Sequence, residues 1–131
     1  MKQIDTMKDI LDKDADVRLA ILYGSFASGM AGAMSDIDLA VAGEGPLAVE
    51  KLAELNLALS AAAGREVDLL DLNTAGGMIL TEVLTTGDKI KMTDEELYVG
   101  LIRKMHYFQA DMAPNIRYIL DKRREAFLHD R

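Results

Sequence analysis

The sequence predicts an α+β domain with α/β-like order, in which helices pack on a small mixed β-sheet of three to four strands. Strand-like runs at 17–23, 36–42 and 66–72 alternate along the chain with segments of helical periodicity. The chain has 131 residues, 50% of them hydrophobic and 28% charged, which is typical of one globular domain with an ordinary core.

The first elements follow from the spacing of apolar residues. A stripe at helical intervals predicts a helix over 3–13. Residues 17–23 are apolar on both faces, which predicts an interior strand. The small residues at 25–31, followed by Gly32, predict a short helix after that strand.

The middle of the chain continues the alternation of helices and strands. Pro46 is well placed as the first residue of a helix that Gly64 ends. We expect a strand over 66–72, a helix over 74–86 and a short edge strand over 88–92.

The C-terminal part is predicted to be helical. Thr93 and Glu96 form the pattern of a capping box, and apolar residues follow along one face. Pro114 either kinks this helix or begins a new one. We therefore expect a core over 1–92 and a helical extension over 93–131, packed on the core or on a partner. Homo-oligomerisation through these C-terminal helices stays open.

Composition excludes several classes of protein. The formal net charge is −7, so no direct binding of nucleic acid is expected. The chain has no cysteine, which excludes disulfide scaffolds, zinc–thiolate sites and thiol catalysis. The N-terminal residues do not resemble a signal peptide, and no apolar run reaches the length of a membrane span. We expect a cytoplasmic protein with no membrane partner.

The chemically informative stretch runs from residue 19 to residue 43. Asp36 and Asp38 lie two residues apart on a predicted strand, so both side chains leave the same face. Two carboxylates this close attract a divalent cation or a proton. Upstream, Gly24 and Ser25 offer backbone N–H groups, a hydroxyl and a helix N-terminus to phosphate oxygens. Together they predict a site for a phosphoryl group and a metal.

This stretch, GSFASGMAGAMSDID, resembles the signature of the nucleotidyltransferase superfamily of the DNA-polymerase-beta type, and in particular its minimal nucleotidyltransferase (MNT) domains. That signature is Gly-Ser, ten residues, then Asp-x-Asp. The resemblance covers residues 17–72 well and implies a nucleotidyltransferase fold. It also implies that Asp36 and Asp38 bind Mg²⁺, and that Gly24 and Ser25 bind the nucleotide.

The resemblance places a third carboxylate on the next strand, in a Val-Asp-Leu context that matches Asp68. This residue would accept a proton from the attacking hydroxyl or bind a second metal. Asp71 competes for the role, because the two acids cannot face the same side of a regular strand. The sequence also departs from many relatives, which carry Arg where Ser28 stands. A missing guanidinium would weaken nucleotide binding.

The resemblance further implies a Mg²⁺-dependent enzyme that transfers AMP from ATP to a hydroxyl. Chains of this length with a helical tail are similar to the antitoxins of HEPN/MNT toxin–antitoxin pairs, which adenylylate a tyrosine of the HEPN toxin and bind it. Two alternatives remain. One is a binding module that neutralises its partner without turnover, and the other is a small-molecule enzyme similar to the aminoglycoside nucleotidyltransferases.

Overall fold

The computed structural model describes residues 2–24 and 36–129. The described helices and strands have the following bounds in chain order: α1 Lys2–Asp12, β1 Leu19–Tyr23, β2 Ile37–Ala42, α2 Val49–Ala63, β3 Val67–Asp71, α3 Gly77–Thr86, β4 Asp88–Met92 and α4 Glu95–His129. The short helix predicted over 25–31 lies outside the described residues.

The described strands form one mixed sheet in the order β3–β2–β1–β4. β1 is antiparallel to both of its neighbours, β2 and β4, whereas β3 runs parallel to β2. The predicted mixed sheet is confirmed, and β4 lies at its edge as expected. Because β1 is flanked by strands and covered on both faces, all five of its residues are buried.

Helices cover both faces of the sheet. α1 and α2 pack on the face that carries Ala20, Leu22, Leu39 and Val41. α3 and the first half of α4 pack on the opposite face, which carries the alternate residues of the same strands: Leu19, Ile21, Tyr23, Ala40 and Ala42. Asp38 shares the parity of this second set, so its side chain belongs to the face covered by α3 and α4.

α2 begins later than the sequence predicted. Its first residue is Val49, with Ala48 in an extended conformation before it, so the placement of Pro46 as the first helical residue was wrong. The reason is a long-range hydrogen bond: Leu47 N–H donates to Asp71 Oδ2 at 2.8 Å, which holds this segment against the end of β3. The predicted end is confirmed, because Gly64 adopts a left-handed φ of 67°.

The N-terminus of α4 is capped by a different residue from the one predicted. Asp94, and not Thr93, accepts the hydrogen bond from Leu97 N–H, at 3.1 Å. Thr93 N–H instead donates to the carbonyl of Arg18, at 2.9 Å. The bond from Leu97 and the ion pair with Arg18, at 3.0 Å, hold the pKa of the Asp94 carboxyl below its ordinary value.

α4 runs without interruption through Pro114, so the alternative in which a new helix begins there was wrong. Its first half packs on the core through Leu101 and Met105, and the ring of Phe108 lies against Gly77. Beyond Met112 every described side chain of α4 is exposed. No helix in the described part of the chain is long and apolar enough to cross a membrane.

A buried lysine ties β4 to α1. Lys91 is only 9% exposed, and its Nζ donates to the carbonyls of Leu11 at 2.6 Å and Asp14 at 2.9 Å. These carbonyls lie at and just beyond the C-terminal end of α1, where the helix dipole favours a cation. Lys91 thereby fixes α1 across the edge of the sheet.

Replacing Lys91 with methionine keeps the apolar stem and removes the donor. We expect Lys91→Met to lower the free energy of unfolding by about 1–3 kcal/mol, because two carbonyls lose a charged partner. Urea denaturation measures this change. The control is Lys89→Met on the same strand, which removes an exposed ammonium over the ring of Tyr98 and should cost less than about 1 kcal/mol. Equal losses of unfolding free energy in the two variants would contradict a stabilising role for the two hydrogen bonds of Lys91.

Candidate functional site

Asp38 and Asp68 are brought side by side by the pairing of β2 with β3. The two strands are parallel, and Asp38 and Asp68 are direct partners in their register. Partners in a parallel pair project to the same face, so the carboxylates become neighbours on the side covered by α3 and α4. Asp38 is partly buried and Asp68 is exposed. The arrangement gives a carboxylate pair with one side open to solvent.

The end of β1 approaches the same carboxylate from the other side. Tyr23 is the antiparallel partner of Asp38. Gly24 follows with a φ of 71°, and a Cβ built there would overlap Asp38 Oδ2. Only glycine avoids both the backbone strain and this overlap. The backbone at the end of β1 is therefore in contact with the Asp38 carboxylate.

Of the other predicted site residues, Asp36 belongs to the described part of the chain. Asp36 is exposed and immediately precedes β2, whose first residue, Ile37, donates its N–H to the carbonyl of Glu66 at 3.0 Å. Ser25, predicted to bind the nucleotide, lies outside the described residues. Ser28, which stands in place of a common arginine, lies outside them as well.

Negative charge dominates the electrostatics of the site. Burial, and then the charges of Asp68, Asp36 and Glu82, raise the pKa of the Asp38 carboxyl above its ordinary value. Burial, followed by Asp38, Asp68 and Glu82, raises the pKa of Tyr23 to about 12. The Tyr23 phenol is therefore neutral at physiological pH and adds no further negative charge.

Sequence reasoning missed Tyr23 and Glu82. Tyr23 could have been found from its parity, because it ends the strand that leads into Gly24 and lies on the same face as Ile21. Glu82 lies on α3, and no local pattern marks it out among the polar residues of that helix. Its proximity to Asp38 depends on how α3 packs on the sheet.

Asp71 has a different environment from Asp68. It is only 6% exposed, and its carboxylate accepts hydrogen bonds from Leu47 N–H at 2.8 Å and Asn73 N–H at 2.9 Å. Asp71 therefore joins the end of β3 to the segment before α2. The strand parity that separates it from Asp68 is the one expected from the sequence.

β3 is held in position by side chains of α2. Ser60 Oγ accepts a hydrogen bond from Val67 N–H at 3.1 Å, and Asn56 Nδ2 donates to the carbonyl of Val67 at 2.8 Å. Both backbone groups next to Asp68 are thus satisfied on the outer side of an edge strand. These bonds fix the register that places Asp68 opposite Asp38.

The site has the donor chemistry of a magnesium site, because carboxylate oxygens are the ligands that Mg²⁺ prefers and the mutual repulsion around Asp38 favours a cation. Across residues 2–24 and 36–129, no three His, Cys, Asp or Glu side chains are grouped closely enough to hold a metal ion. An ion held by Asp36, Asp38 or Asp68 would therefore need additional oxygen ligands, and nucleotide phosphates can supply them.

The raised pKa of Asp38 predicts a pH dependence of stability. The folded state holds this proton more tightly than the unfolded state, so ionisation of Asp38 reduces stability as the pH rises from 3.8, its ordinary pKa, through the raised value. We expect Asp38→Asn to be at least as stable as the parent protein near neutral pH in the absence of ligands. Urea midpoints of both proteins, measured across this range, test it. A difference that does not vary with pH would contradict the prediction.

Comparison with known proteins agrees with this geometry. The family model described as "Polymerase beta, Nucleotidyltransferase" matches residues 5–96. Protein adenylyltransferase MntA of Shewanella oneidensis is 33% identical to this chain over 113 residues, which cover 84% of this chain and 79% of that protein.

Two solved structures show the same similarity at the level of the fold. A chain of a toxin–antitoxin crystal structure with AMP-PNP matches with a TM-score of 0.72 and 28% identity, covering 92% of this chain and 99% of that one. A chain from the complex of the tri-AMPylated Shewanella oneidensis HEPN toxin with its MNT antitoxin matches with a TM-score of 0.65 and 28% identity, covering 90% and 98%.

The family match spans the strands that carry Asp38 and Asp68, so sequence similarity and site geometry coincide. The nucleotidyltransferase fold expected from the Gly-Ser and Asp-x-Asp signature is confirmed. The chain is a nucleotidyltransferase homologous to protein adenylyltransferase MntA, and it belongs to the polymerase beta nucleotidyltransferase family.

Proposed function

We propose that this chain is the antitoxin of a cytoplasmic toxin–antitoxin pair and transfers AMP from ATP to a tyrosine of a HEPN-type toxin. The observation that carries the proposal is the carboxylate pair of Asp38 and Asp68, brought together in register beside Gly24. The homologous MntA is a protein adenylyltransferase, and a similar structure contains a tri-AMPylated HEPN toxin.

Each site residue has a separate role in binding the metal or the nucleotide. Asp36 and Asp38 would hold Mg²⁺ together with the phosphates of ATP, and the ion would neutralise the charge that develops on them. Gly24 lets the phosphates approach the backbone at the end of β1. Ser25 would donate its hydroxyl and N–H to a phosphate oxygen. In the absence of a cation, the acidic surroundings of Asp38 would repel the nucleotide.

The proposed reaction is an in-line displacement at the α-phosphorus of ATP. The tyrosine oxygen of the acceptor forms the new P–O bond, the bond between the α-phosphorus and its bridging oxygen breaks, and pyrophosphate leaves. The phenolic proton passes to Asp68, whose exposed carboxylate is open to an incoming acceptor. Tyr23 remains protonated, so it adds no negative charge beside Asp38 and Asp68.

Charge and shape support a protein acceptor. The net charge of −7 favours encounter with a basic, RNA-cleaving partner, because opposite charges accelerate association. We also propose that 1–92 is the catalytic core and that the extension over 93–131 contacts the toxin beyond Met112, where the described side chains of α4 are exposed.

Transfer of labelled AMP to the HEPN partner tests this function. With labelled ATP and Mg²⁺, we expect label on a partner tyrosine. The double variant Asp36→Asn/Asp38→Asn should lose at least about 10²-fold in rate, since electrostatic stabilisation of the phosphoryl group supplies much of the catalysis. Mass spectrometry of the partner gives the site and extent of modification.

The same experiment separates the alternatives. A tight complex with no label, from either the parent or the double variant, would contradict the proposal and favour a non-catalytic binding module. Labelling of an added small hydroxyl compound, with none on the protein, would favour a small-molecule nucleotidyltransferase.

Two matched variants of β3 distinguish the acid that takes part in the reaction. We expect Asp68→Asn to lose transfer activity while unfolding at the same or a higher urea midpoint, because Asp38 loses a neighbouring like charge. Asp71→Asn should retain transfer but lose about 1–3 kcal/mol of stability, because two backbone N–H groups lose their charged acceptor. If Asp71→Asn is inactive while fully folded and Asp68→Asn is active, the assignment is reversed.

A further inference from the structure

Gly100 occupies an unfavourable position for which the fold itself offers no reason. It lies inside α4, where glycine is the least favourable residue after proline. Its backbone makes no close approach that would require glycine, because a Cβ built there meets nothing within 4 Å. The residue is exposed on the side of α4 that faces away from the core. A glycine in this setting allows the backbone of another helix to come close.

The surface of α4 around Gly100 is slightly concave and partly apolar. A shallow, open groove of about 470 Å³ lies on the outer side of α4 itself and is lined by Glu95, Glu96, Val99, Gly100 and Arg103. The side chain of Val99 is 48% exposed. An exposed valine next to an exposed glycine in a helix is typical of a surface on which another helix packs. Within the described part of the chain, no other element covers these two residues.

The charges on either side of Gly100 are opposite. Glu96 lies four residues before it, and Arg103 and Lys104 lie three and four residues after it. These residues lie on the outward side of α4. Among the described residues, neither Glu96 nor Arg103 has an ion-pair partner. The acidic and basic groups are therefore available to a second molecule.

We propose that α4 pairs antiparallel with α4 of a second copy of this chain, crossing at Gly100. In a two-fold pair of this kind, a residue four positions before the crossing faces one about four positions after it. Glu96 of each copy then faces Arg103 and Lys104 of the other, and the two contacts are identical by symmetry. This self-complementarity is the reason for assigning a second copy to the groove.

Reversal of the charges tests the pairing on the full chain without any partner protein. Light scattering after size-exclusion chromatography should give the parent twice the 14.4 kDa mass of one chain. Glu96→Lys alone and Arg103→Glu alone should each raise the dimer dissociation constant at least about tenfold, because like charges then face each other twice.

The most decisive experiment mixes the two single variants, Glu96→Lys and Arg103→Glu. The introduced lysine of one chain faces the introduced glutamate of the other, and the unchanged Arg103 and Glu96 face each other in the second contact. We expect the mixture to form a heterodimer of about the parent affinity, although neither variant dimerises well alone. Melting curves of each variant control for folding.

Steric variants give an independent check. Gly100→Leu should abolish the dimer without lowering the melting temperature, because the monomer has open space at this position. Gln109→Leu places leucine at another exposed position of α4 and should leave the mass unchanged.

Three results would overturn the proposal. The first is a parent protein that remains monomeric at all accessible concentrations, and the second is a mixture of the reversed variants that fails to associate. The third is a parent that is monomeric alone while Glu96→Lys and Arg103→Glu weaken its complex with the HEPN partner, which would assign the groove to that partner.

Discussion

The parallel register between β2 and β3 is the constraint on which the site depends. It places Asp38 directly beside Asp68, although the two residues are thirty positions apart in the chain. Ser60 and Asn56 hold the outer side of β3, and Asp71 fixes the end of that strand to the segment before α2. A shift of one residue would exchange the faces of Asp68 and Asp71 and leave Asp38 without its neighbour.

Much of the fold could be predicted from the sequence because the strands carry clear patterns. The alternation of apolar and polar residues around Asp38 and the apolar run of β1 predicted the strands of the sheet. The spacing between Gly-Ser and Asp-x-Asp indicated the nucleotidyltransferase family. The predictions that were wrong concern features that depend on contacts between residues distant in the sequence. Neither the late start of α2, caused by Asp71, nor the capping of α4 by Asp94 follows from local propensity. Glu82 likewise reaches the site only through the packing of α3.

Charge is distributed according to function along the chain. The acids around Asp38 raise its pKa in the absence of a cation, so the site is destabilised until a counter-charge arrives. Elsewhere, Arg18 pairs with Asp94, and Lys91 is buried against two backbone carbonyls. α4 separates these roles, since its first half completes the core and its second half is exposed.

Binding of a non-hydrolysable ATP analogue with Mg²⁺, measured as the shift in melting temperature, tests most directly whether Asp38 holds the nucleotide through a cation. We expect the parent protein to gain stability only when both are present, and Asp38→Asn to gain none although it is at least as stable without ligands. An equal shift in Asp38→Asn would contradict the proposal that Asp38 holds the nucleotide through a cation.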